Sequence, residues 1–100
     1  MNTHPHDHAA PIRRTVHFSG RVQGVGFRYT TESLAAGFDV TGTVRNLSDG
    51  RVELIAEGSS AEIDRFIAAV RSAMAGHIQH VEVDDSAPTG RLDGFCMSFE

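Results

Sequence analysis

The sequence predicts an α+β domain of ferredoxin-like split βαββαβ topology, with an antiparallel sheet, two helices on one of its faces and a short fifth strand at the C-terminus. Three observations carry this expectation. Alternation of apolar and polar residues marks strand-like segments, apolar residues at helical spacing mark two others, and the patterns follow one another as strand, helix, hairpin, helix, strand, strand. A chain of 100 residues is the length of one compact domain, and 40% apolar with 22% charged residues is an ordinary composition for a folded one.

Residues 1–11 carry His4, His6 and His8 among Pro, Asp and Ala with no apolar period, and are expected to form a flexible tail ahead of a domain spanning 12–100. From Arg13 to Ser19, Val16 and Phe18 share one face and Thr15, His17 and Ser19 the other, so His17 is expected to be a solvated strand residue. A glycine-rich loop follows. Phe27, Leu34, Ala35 and Phe38 then recur at helical spacing, and Gly37 stands where a left-handed C-terminal cap is wanted. Val40, Gly42 and Val44 alternate, Ser48-Asp49-Gly50 supplies a turn, and Val52, Leu54 and Ala56 alternate again, which predicts a β-hairpin. Ser59 with Glu62 reads as a capping box for a second helix, whose stripe of Ile63, Phe66, Ile67, Val70 and Met74 is ended by Gly76. A strand over 78–83, a loop over 84–93 and a last short strand alternating Phe95, Met97 and Phe99 complete the order. Cys96 is the single cysteine, so it forms no internal disulfide and is expected in the core.

Several function classes fall away. The net charge of -4 argues against nonspecific nucleic-acid binding, and an RNA-binding sheet face would need aromatic and basic residues where His17, Glu53 and Glu57 stand. All nine cations are arginines, which excludes a phosphate-loop lysine and Schiff-base chemistry. No apolar stretch is long enough for a membrane span and no h-region follows the N-terminus, so a cytoplasmic location is expected.

The loop from Gly20 to Arg28 is the candidate site. Gly20, Gly24 and Gly26 allow successive backbone N–H groups to converge on one anion, and the following helix adds its positive end. Glycines after a strand also serve ordinary turns. Arg28 tips the balance, because a cation at a helix start opposes the helix dipole unless an anion lies between them. A right-handed crossover makes the first two strands parallel, which brings Asn46, at the end of the second, to the same side of the sheet as the loop. The loop lacks the third glycine of a dinucleotide fingerprint and the Gly-Lys-Ser/Thr of a Walker motif, so it suits a single phosphate.

Gly20-Arg-Val-Gln-Gly-Val-Gly-Phe-Arg28 closely resembles the acylphosphatase signature, and Gly42-Thr-Val-Arg-Asn46 followed by Gly50, Val52 and Gly58 is similar to that family's second motif. The similarity runs from about Thr15 to the C-terminus. It implies a ferredoxin-like fold and hydrolysis of a small-molecule acyl phosphate by a monomer, with no cofactor, no metal, no nucleic acid and no membrane. It also implies that Arg28 binds the phosphoryl group with the loop residues Arg21, Val22, Gln23, Gly24, Val25, Gly26 and Phe27, mainly through backbone amides, while Asn46 holds the attacking water. Thr43 departs from a usually aromatic position and Phe18 from a usually aliphatic one, which bears on local packing and substrate fit. An anion-binding or carbamoyl-phosphate-processing module that keeps the loop is the alternative.

Overall fold

A computed structural model describes residues 10–99, so the expected tail lies almost wholly outside the described residues. The elements are β1 (Ile12–Gly20), α1 (Phe27–Ala35), β2 (Thr41–Asn46), β3 (Val52–Gly58), α2 (Ser60–Ala73), β4 (Ile78–Ser86) and β5 (Phe95–Met97). They form one sheet in the order β4-β1-β3-β2-β5.

The alternation read from the sequence reappears as the core. Val16 and Phe18 of β1, Val44 of β2, and Val52, Leu54 and Ala56 of β3 are buried against Phe27 and Ala35 of α1 and against Ile63, Phe66, Ile67 and Val70 of α2. Aromatic contacts tie the layers: Phe18 lies 5.0 Å from Phe27 between ring centroids, and Phe66 lies 5.6 Å from Phe38 and 5.3 Å from Phe95.

The sheet is mixed, whereas an antiparallel one was expected. β1 pairs antiparallel with β3 and β4, and β2 with β3, but β5 pairs parallel with β2. The chain leaves β4 beside the start of β1, crosses that end of the sheet, and enters β5 at Gly42, near the start of β2, so the two strands run the same way. A hairpin return would have reversed it.

Local expectations differ at four further places. Gly37 is not a left-handed cap: α1 ends at Ala36 in right-handed geometry, and the chain tightens through Gly37 N–H to Leu34 O and Phe38 N–H to Ala35 O. The capping box of α2 is half formed, because Ser59 Oγ accepts from Glu62 N–H while the Glu62 carboxylate accepts from Asp39 N–H and Arg65. β4 continues to Ser86, where Arg14 grips Asp85 through two bonds of 2.7 and 3.0 Å across the β1–β4 pair. Finally, Cys96 is exposed on the edge strand β5, outside the core, and β5 stops at Met97, leaving Phe99 78% exposed.

Candidate active site

β1 and β2 both run antiparallel to β3 and hence parallel to each other. The register sets Phe18 and Asn46 on either side of Val52, so the loop leaving β1 and the end of β2 open at the same end of the sheet. Between them is a cavity of about 150 Å³ lined by Val22, Gly24, Gly26, Phe27, Arg28 and Tyr29, with Asn46 and Met97 closing it. That volume is well below the roughly 300–1,000 Å³ of pockets for drug-sized ligands and suits a small anion.

The loop is anchored at its start. Gly20 has φ +123°, and a Cβ there would lie 2.5 Å from His77 O, so the close approach of the chain to His77 requires glycine. Arg21 N–H donates to His77 O at 3.0 Å, and Val22 and Phe27 are buried. Gly26, with φ 80°, ends the loop as the N-cap of α1, which has no side-chain cap and no acidic residue in its first turn. As a result, none of the backbone N–H groups of residues 22–29 has an acceptor among the described residues. Unpaired donors in series ahead of a helix make an anion cradle.

Arg28 is half-buried. The ion pairs of the described residues engage Arg13, Arg14, Arg45, Arg51 and Arg65, and Arg28 belongs to none of them. Its guanidinium carbon lies 5.1 Å from the centroid of the Phe99 ring. Asn46 is held by β2, whose preceding residue Arg45 donates to Glu53 Oε1 at 2.9 Å; His17 Nε2 stands 3.1 Å from Glu53 Oε2. His17 is thus paired, not solvated as its strand position suggested. Burial pushes the Glu53 carboxyl up, but His17 and Arg45 outweigh it and hold it below the usual carboxylate range.

The structure brings together Arg28, Asn46, Val22, Gly24, Gly26 and Phe27 around one cavity. Of the other expected residues, Arg21 has its amide taken by His77, whereas Gln23 and Val25 do not line the cavity but keep N–H groups without an acceptor among the described residues; the Gln23 side chain turns to the hairpin and Val25 is exposed. Tyr29, Met97 and Phe99 were not anticipated. Tyr29 is 68% exposed beside Arg28, where helical spacing reads it only as a surface position, and Met97 arrives on the parallel edge strand that no local pattern foretells.

The chain matches the acylphosphatase family over residues 14–97. This chain belongs to the acylphosphatase family. It is 45% identical to the acylphosphatase of Paenarthrobacter aurescens (strain TC1) over 85 residues, which are 84% of this chain and 90% of that one. It is 41% identical to the acylphosphatase of Nocardia farcinica (strain IFM 10152) over 97 residues, covering 95% and 97% of the two chains. Among solved structures, acylphosphatase from Bacillus subtilis superposes with a TM-score of 0.77 at 30% identity, covering 87% of this chain and 98% of that one. The family's ferredoxin-like α+β architecture is the one found here, with two helices on a five-stranded sheet.

Proposed function

We propose that this chain hydrolyses acyl phosphates to a carboxylate and inorganic phosphate, acting as a monomer on a small-molecule substrate. The observation that carries the reading is the run of N–H groups over residues 22–29 without acceptors, beside a guanidinium with no carboxylate partner among the described residues, across one small cavity from Asn46. In this reading the loop amides and Arg28 bind the phosphoryl oxygens, and Asn46 orients the water.

The chemistry asks for little else. The water oxygen attacks phosphorus, the bond from phosphorus to the acyl oxygen breaks, and its electron pair leaves on a carboxylate whose conjugate acid has a pKa of ~4–5, so no general acid is needed. Charge on the equatorial oxygens is met by the guanidinium and backbone dipoles, and in-line placement supplies most of the remainder. The Asn46 carbonyl oxygen can accept a hydrogen bond from the water without removing its proton, and the water's two protons end on the phosphate product. No step calls for a metal.

The test is hydrolysis of benzoyl phosphate, followed by its ultraviolet absorbance, with and without a chelator. Turnover indifferent to the chelator is expected. Asn46→Ala should lower kcat by on the order of 10² or more while inorganic phosphate still inhibits, as for loss of one transition-state donor. Unchanged turnover in folded Asn46→Ala would remove the water-holding role. A folded wild-type protein that binds phosphate but hydrolyses nothing would favour the anion-binding or carbamoyl-phosphate-processing module.

A further inference from the structure

The Gln23 side chain leaves the phosphate loop and reaches the β2–β3 hairpin. Its Nε2 donates to Leu47 O at 2.7 Å and to Arg51 O at 2.9 Å. These same carbonyls close the hairpin: Arg51 O accepts from Leu47 N–H at 2.8 Å, and Leu47 O from Gly50 N–H at 3.1 Å. Each carbonyl therefore accepts two bonds, the capacity of its lone pairs, and Nε2 spends both of its hydrogens. The carboxamide fits only this way round, since its oxygen end has nothing to donate.

The two sides of this tie are unequally supported. The loop has other anchors, namely the Arg21 bond to His77 and the buried Val22 and Phe27. The hairpin end is exposed at Ser48, Asp49 and Gly50, and Leu47 directly follows Asn46. Cutting the tie should therefore release the Asn46 side and leave the loop where it is.

We infer that Gln23 is a positioning residue for the reaction: its carboxamide sets the separation between the loop that holds the phosphoryl group and the asparagine that holds the water. This rests on the function proposed above. A nucleophile misplaced by about 1 Å can cost on the order of 10² in rate, so two hydrogen bonds at the hairpin base are enough to matter.

The test is a double-mutant cycle with benzoyl phosphate as substrate and inorganic phosphate as competitive inhibitor. Gln23→Met keeps the side chain's length and removes its donors; it should lower kcat by about 10- to 100-fold and change the inhibition constant of phosphate by less than about threefold. The double variant Gln23→Met/Asn46→Ala should fall within about threefold of Asn46→Ala alone, because Gln23 would act only through a residue already gone. Gln23→Glu, which keeps size and polarity but presents acceptors to the two carbonyls, should show the same pattern and serves if the methionine variant does not fold. Multiplicative losses in the double variant, an unchanged kcat, or phosphate affinity falling as far as kcat would each overturn the role. Absence of hydrolysis by the folded wild type would remove the proposed activity and this role with it, whereas multiplicative losses remove the role and leave the activity standing.

Discussion

Replacing Glu57 by alanine tests how the chain between β4 and β5 is secured. Glu57 is 5% exposed, at the end of β3. Its Oε2 accepts from Arg13 Nε at 2.8 Å, Thr89 N–H at 2.9 Å and Thr89 Oγ1–H at 3.1 Å, and its Oε1 from Gly90 N–H at 3.0 Å. Bonds to a charged acceptor contribute roughly 1.5–3 kcal/mol each. Thr89 and Gly90 are exposed and Arg13 is partly so, hence water would reach these donors once the carboxylate is gone and the full sum is not lost. About 2–4 kcal/mol is the expected destabilisation. With a urea slope of about 1 kcal/mol/M for a domain this small, the unfolding midpoint should fall by about 2–4 M. Far-UV circular dichroism is the suitable probe, since the chain has no tryptophan and one tyrosine. A loss below about 1 kcal/mol would refute the reasoning. The charge can be tested separately. Burial pushes the Glu57 carboxyl up, but the Thr89 and Gly90 amides, the Arg13 guanidinium and the Thr89 hydroxyl bring it down to about 2, from an ordinary 4.5. A pKa depressed in the folded state gives stability that is present in full above pH 4.5 and is lost as the pH falls toward 2. The gap between wild type and variant should therefore narrow across that window, and a constant gap would show that the charge contributes nothing.

Arg28→Lys keeps the positive charge but loses the planar fork, so inorganic phosphate should inhibit about tenfold less strongly; an equal inhibition constant would contradict the assignment. In Gly42→Ala the new Cβ would sit 1.9 Å from Ile55 O and 2.9 Å from Phe95 Cε2, so β2 must part from β3 or β5. A loss of about 3 kcal/mol in urea unfolding is expected, the upper range for overpacking. Thr31 Oγ1 is buried in α1 without a hydrogen-bond partner among the described residues, and Thr31→Val removes that hydroxyl at nearly constant volume. It should raise stability by roughly 1 kcal/mol or more, and a lowered thermal midpoint would refute this.

What could be read from the sequence follows from what local patterns encode. A period of two fixed which faces of β1, β2 and β3 are buried, and the helical period did the same for α2, because each core residue's partner surface is set by its own element's geometry. Pairing across the sheet is different in kind. Phe95 and Met97 announce a strand, but nothing local tells it to join β2 in parallel, and the exposure of Cys96 follows from that edge position. His17 was legible as lying off the core, while its pairing with Glu53 depends on a strand 36 residues away. The site divides likewise. Arg28 and Asn46 could be placed together because a right-handed crossover constrains where both strands end. Met97 and Phe99 could not, since they come from the far end of the chain.

Among the described residues, the β4 edge of the sheet is open. β4 ends the strand order, its N–H and C=O groups are paired on one side by β1, and its residues from Glu82 to Ser86 are exposed. Four of those five positions are occupied by Glu82, Asp84, Asp85 and Ser86, and the fifth by Val83, which is 55% exposed. A second molecule arriving strand to strand would bring carboxylates against carboxylates, so charge guards the edge against self-association. Acid removes that protection along with the Glu57 clasp. Preparation and storage at low pH should therefore favour fibrillar aggregates seeded at β4, and phosphate buffer near neutrality is the condition in which both the edge and the clasp keep their charge.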